Sequence, residues 1–158
     1  MVEAVNQPQM FDLLLLDISS KDLHSKISEK LNIQYLHEFI GNVPSKFSGI
    51  VYGPNRRVFF PIVVEVRKQK RMVIFLLDTG SPSTYICQEV WDSFKMDTSR
   101  ERMTAKLNDR NQIVFLPPLN CHFSDMSILG TDYMDANNCV LRIDFSRSSA
   151  ELELGIVE

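Results

Sequence analysis

Phe75-Leu76-Leu77-Asp78-Thr79-Gly80-Ser81 decides how this chain of 158 residues is read. Large apolar side chains in a row mark a buried strand end, and the acidic residue and glycine turn directly after them mark a carboxylate carried to a sheltered place. The plain reading is a strand-ending turn in which Asp78 caps its own backbone. The chemical reading starts from the number of copies. Asp-Thr-Gly-Ser occurs once, so one chain supplies one carboxylate. Two such groups about 3 Å apart cannot both ionise, so a pair holds one proton between them. One oxygen then takes a proton from water while another donates to an amide carbonyl.

The neighbours of Asp78 suit such a site. Gly80 allows a sharp turn and brings its N–H to the carboxylate. The Thr79 hydroxyl can bond across to a matching loop, and that of Ser81 can donate to the outer carboxylate oxygen. Leu76 and Leu77 make the surroundings apolar, which raises the cost of two charges.

Composition bounds the rest. With 44% hydrophobic and 23% charged residues, the chain reads as one soluble globular domain, or one domain and an appendage. A net charge of −3 and the absence of basic blocks beyond Arg67-Lys68-Gln69-Lys70-Arg71 give no reason to expect nucleic acid. That pentad lies between two apolar runs and predicts a solvated hairpin turn. Cys87, Cys121 and Cys139 are odd in number and widely spaced, which fits neither a disulfide framework nor a metal pair and favours a reducing compartment. His24, His37 and His122 form no metal-spaced pair, so neither metal nor cofactor is expected. Leu13-Leu14-Leu15-Leu16 is followed at once by Asp17. Hence no signal peptide, membrane span or membrane partner is expected, and a cytoplasmic or nuclear location is.

Residues 1–50 are expected to form a partly helical N-terminal segment. Met10 to Ile18 reads as a buried strand or a short helix. A helix from Lys21 to Leu31 follows from the Ser19-Ser20 cap and the spacing of Leu23, Ile27 and Leu31. Tyr35 to Ile40 suggests a second short helix, and 45–55 a linker. The second unit, residues 51–158, carries β-branched and aromatic runs broken by turns. Val58–Val66 and Met72–Leu77 predict a hairpin, with Pro61 at a late start or an edge. Thr84–Cys87 reads as a short strand and Glu89–Phe94 as a helical turn. Met103–Leu107 and Gln112–Leu116 predict a hairpin about Asn108–Asn111, ended by Pro117-Pro118. Ser127–Gly130 then repeats the pattern of apolar residues running into glycine, with Thr131-Asp132 capping a helix to about Ala136. Cys139–Phe145 and Glu151–Ile156 read as the last two strands.

Three features in this order resemble the retropepsin-like domain, the single-lobe homodimeric branch of the aspartic peptidases. They are Leu76-Leu77-Asp78-Thr79-Gly80-Ser81, then Ile128-Leu129-Gly130-Thr131-Asp132-Tyr133-Met134, then the strand Cys139–Phe145. The second resembles the element found in cellular domains of the DNA-damage-inducible type and in retroelement peptidases. The resemblance implies a mainly β fold, a closed β-barrel with one short helix. It implies Asp78 as the catalytic residue, Thr79, Gly80 and Ser81 as support for its loop, and Ile128, Leu129, Gly130 and Asp132 as the structure behind it. It also implies a homodimer acting on a polypeptide substrate, with an optimum on the acidic side.

Two departures stand out. Many retroviral relatives carry an Asp two residues after the motif glycine and an Arg after the second glycine; here these positions are Pro82 and Thr131. Losing both partners avoids an unpaired buried charge. The family's glycine-bearing hairpin lid also has little room, since no glycine lies between Gly80 and Gly130. If Met103–Leu116 is a hairpin of the body, only Lys95–Arg102 remains for a lid. If it is the lid, Pro117–Met126 must hold the following strands. The sequence thus supports an aspartic endopeptidase and, as the alternative, a non-proteolytic retropepsin-like dimerisation or interaction module docking through its N-terminal segment.

Overall fold

The computed structural model describes residues 17–118 and 124–157. Most of Met10–Ile18, together with Cys121 and His122, lies outside the described residues. The strands are β1 (Lys46–Tyr52), β2 (Arg57–Val66), β3 (Gln69–Leu77), β4 (Arg102–Leu107), β5 (Arg110–Phe115), β6 (Ser127–Leu129), β7 (Val140–Asp144) and β8 (Ser149–Glu153). Helix α1 spans residues 20–31, α2 is Gln88–Ser93 and α3 is Thr131–Ala136. The fold is mainly β. Its helices exceed the single short one expected beyond the N-terminal segment, because Gln88–Ser93 forms a helix about Val90 and Trp91, both buried.

The strands make one sheet in the order β5-β4-β2-β1-β8-β7, with β3 paired to β2 and β6. The expected closed barrel is replaced by an open sheet, because β5 and β7 end the path without pairing to each other among the described residues. The reason lies in β2. Its start pairs with β1 (Ile50↔Phe59 to Tyr52↔Arg57) and its end with β4 (Val64↔Leu107, Glu65↔Lys106), so its neighbours diverge from it. Pro61 sits in the stretch between those two partners, where its missing N–H costs no ladder bond. The strand therefore does not start late; it is a local edge. Val63, just beyond, is served by Asn108, whose side chain accepts from the Val63 N–H at 2.8 Å and whose own N–H donates to the Val63 carbonyl at 2.9 Å.

β2 and β3 form the expected hairpin in the register Phe59↔Leu76 to Val66↔Gln69. Their near-continuous apolar runs reflect burial on both faces rather than alternation. The turn is only Arg67-Lys68, both with positive φ (51° and 67°), as a two-residue turn matching strand twist requires. The rest of the basic pentad lies in β3 and is not solvated throughout. Arg71 is half-buried, donates to the Leu36 carbonyl at 2.8 Å and lies over the Phe94 ring. Asn108-Asp109 makes the equivalent turn between β4 and β5, shorter than the four residues expected.

Helix α1 forms where expected. Ser19 and Asp22 cap its start reciprocally, and the middle, Leu23–Ile27, is π-helical. Ser28 Oγ there donates to the Leu23 carbonyl five residues back. Leu23 and Ile27, four residues apart on one face, join Tyr35 in the same buried cluster as β2 and β3. Two expectations are corrected. Tyr35–Ile40 is not a helix: Leu36 and Phe39 donate to the Met72 and Lys70 carbonyls, and Glu38 bridges Arg71, so this segment covers the outer edge of β3. Residues 45–55 are not a linker. They form β1 and its turn, and the division expected near residue 50 falls inside that strand. Gly49 is required there, because a Cβ would overlap the Phe59 carbonyl and the Phe60 ring.

Candidate active site

β3 ends at Leu77, held between β2 on one side and the parallel strand β6 on the other, with Leu76↔Ile128 and Leu77↔Leu129 in register. The last bond of that ladder is made by Asp78 itself, whose N–H donates to the Leu129 carbonyl at 3.0 Å. The carboxylate thus starts from a fixed point. Its Oδ1 accepts the Gly80 N–H at 2.9 Å, and the Ser81 N–H closes the turn on the Asp78 carbonyl at 3.1 Å. Asp78 is half-buried, while Thr79 and Gly80 are exposed. In a single chain the carboxylate is therefore at the surface of a rigid base, not in the sheltered place expected from Leu76 and Leu77.

The loop residues divide. Gly80 brings its N–H to the carboxylate as expected, but not by a positive φ: a Cβ there would stand 3.2 Å from Asp78 Oδ1. Its small size serves the close approach. Ser81 does not reach the carboxylate. Its hydroxyl donates to the Ser83 carbonyl at 2.7 Å, and its carbonyl accepts the Thr131 N–H at 2.8 Å and the Thr131 hydroxyl at 3.2 Å. The Thr79 hydroxyl points to no partner among the described residues.

Gly130 ends β6 and packs against this loop so closely that a Cβ would overlap the Ser83 and Ser81 carbonyls. Behind it the side chain of Asp132 gathers four donors. These are the Thr84 N–H (3.2 Å), the Thr84 hydroxyl (2.6 Å), Gln112 Nε2 (2.9 Å) and the Tyr133 N–H (2.8 Å). Thr84 Oγ1 in turn accepts the Gly130 N–H at 3.1 Å. Ile128 and Leu129 supply the strand, Tyr85 bridging Ile128 and Phe115 rather than forming the longer strand expected at Thr84–Cys87. Thr84 and Gln112 were not singled out from the sequence. Both are ordinary residue types, and only the fold brings them to one carboxylate. Thr84→Val keeps the shape but strands the buried Gly130 N–H and removes a donor from Asp132. The expected loss is about 2 kcal/mol, read as a lower urea midpoint at unchanged slope.

The β4–β5 hairpin does not stand free as a lid. Its tip is tied to β2 through Asn108, to α3 by the Tyr133 hydroxyl donating to the Leu107 carbonyl at 2.9 Å, and to the C-terminal stretch by Arg110. The Arg110 guanidinium donates to Asn137 Oδ1 at 3.2 Å and to the Gly155 carbonyl at 2.9 Å. Met103–Leu116 is thus a hairpin of the body. Residues 96–101, between the turn that follows α2 and the start of β4, carry no strand.

Burial raises the pKa of the Cys87 thiol and pushes that of Cys139 up to about 11, which disfavours the thiolate in both. No group of His, Cys, Asp and Glu suited to a metal occurs among the described residues. No helix among them is long and apolar enough to cross a membrane.

No family model and no curated protein matches the chain. Among solved structures it is similar to a retropepsin-like aspartic protease from Rickettsia conorii, at 17% identity and a TM-score of 0.43, over 77% of this chain and 98% of that one.

Proposed function

We propose that this chain is one half of a homodimeric aspartic endopeptidase of the cellular or retroelement type, in which Asp78 of each chain meets at a two-fold axis and activates water. The observation that carries the reading is the Asp78 loop itself. A carboxylate stands on the fixed end of β3, at the surface, with Thr79 and Gly80 exposed beside it. That turn alone is also what an ordinary strand-ending Asp makes. What favours chemistry is the structure behind it, where Gly130 and the Asp132 cluster fix the loop more tightly than a surface turn needs.

One carboxylate cannot hold and donate a proton at the same instant, so activity requires association through a self-complementary patch. Light scattering across the micromolar range is expected to give a mass twice that of the chain. A monomer at every concentration would remove the catalytic proposal.

The second reading, a non-proteolytic interaction module, is favoured by the tethered β4–β5 tip, which leaves no lid hairpin over Asp78 among the described residues. A site without a lid excludes water poorly and holds the substrate amide by fewer bonds, so turnover suffers first. The N-terminal segment supports this reading less, because Leu23, Ile27 and Tyr35 are spent in the chain's own core.

A further inference from the structure

The turns at one end of the sheet enclose a cleft of about 530 Å³ whose lining holds three cations, Lys30, Arg56 and Arg147, and no carboxylate. This is unexpected on a chain of net charge −3. Lys30, at the end of α1, and Arg56, in the β1–β2 turn, have no ion-pair partner among the described residues. Arg147 has Asp144 at 3.7 Å, with its own side chain 82% exposed. Arg56 is held at a φ of +50°, a conformation that a glycine or asparagine takes more cheaply. Phe145, 59% exposed, and the half-buried Tyr52 add apolar surface beside these charges.

The place of the cleft matters as much as its charge. The registers Tyr52↔Arg57 and Phe59↔Leu76 set the β1–β2 turn at the end of the sheet from which Asp78 emerges. The pair Ile50↔Ser149 sets the β7–β8 turn, with Phe145 and Arg147, beside it. From strand spacing, the β1–β2 turn lies up to two strands from β3, roughly 10 Å, and the β7–β8 turn three to four strands away, roughly 14–19 Å, so the cleft begins about three residues of an extended peptide from Asp78 and reaches to about six.

We propose that this cleft selects acidic polypeptide segments, taking carboxylate side chains about three to six residues from the bond presented to Asp78. The selection of substrate rests on the peptidase reading; the binding of an acidic segment does not. Three cations on one cleft, of which only Arg147 has a carboxylate beside it, attract such a segment and reject a basic one, and the apolar rim holds the neighbouring side chain.

The test separates binding from cleavage. Full-length Asp78→Asn protein is titrated, by fluorescence anisotropy at low ionic strength, with a short labelled peptide carrying glutamates beside an apolar centre, and with its glutamine counterpart. The glutamate peptide is expected to bind about tenfold more tightly, a preference abolished in a Lys30→Glu, Arg56→Glu background and reduced by added salt. Both substituted residues are exposed, so that background is expected to fold; unchanged circular dichroism confirms it. Equal binding of the two peptides, or a preference that survives the charge reversals, overturns the proposal. Unsubstituted protein is then given both peptides. Faster cleavage of the glutamate peptide completes the case. Selective binding without cleavage of either peptide retains the acidic-segment site and overturns substrate selection together with the peptidase reading.

Discussion

Gly130→Ala is expected to cost roughly 4 kcal/mol of stability, enough to unfold much of the chain under ordinary conditions. The reason is not backbone freedom. Gly130 has a φ of −96°, which any residue adopts. The obstacle is space: a Cβ would overlap the carbonyls of Ser83 and Ser81, and these are backbone atoms that cannot swing aside like the end of a side chain. Moving them breaks the Thr131 bonds to the Ser81 carbonyl and pulls Thr84 away from Asp132. Gly80→Ala provides the contrast, since its Cβ meets only the Asp78 carboxylate oxygen at 3.2 Å and a small side-chain shift relieves it. Urea unfolding of both variants checks the claim. Similar midpoints for the two would show that the 81–83 loop yields freely and that Gly130 does not hold it.

The contrast also shows which parts of the site the sequence made legible. Apolar runs ending in glycine at Leu77–Gly80 and Leu129–Gly130 announce two strand ends, and the structure pairs those strands in parallel. Residue type sufficed because burial and turn geometry leave few alternatives there. The Ser81 hydroxyl differs from the expectation because it is equally able to bond the nearby Ser83 carbonyl, and local competition decides such bonds. Thr84 and Gln112 carry no local signal, since their partner Asp132 is 48 and 20 residues away. The linker expected at 45–55 failed for a related reason. Gly49 and Gly53 look like loop residues, yet Gly49 lies inside β1 where β2 crowds it, and Gly53, with a φ of +87°, starts the turn. Tyr35–Ile40 likewise has a helical composition, but the free edge of β3 offered its backbone better partners.

Asp78→Asn is expected to remove peptide-bond hydrolysis, by about 10³-fold or more, which corresponds to roughly 4 kcal/mol of transition-state stabilisation. A carboxamide cannot take a proton from water. It can still accept the Gly80 N–H, and the side chain is only half-buried, so the thermal midpoint is expected to stay where it was. Loss of activity with an unchanged midpoint therefore reports on chemistry alone, and a variant that cleaves as fast as the parent ends the proposal. A mixture sharpens the result. Each proposed site needs one Asp78 from each of two chains, so equal amounts of parent and variant, allowed to exchange, leave about one quarter of the dimers with both carboxylates. Activity per parent chain then falls to about half. If each chain worked alone, activity per parent chain would not change, and the dimeric site would be excluded even with Asp78 essential.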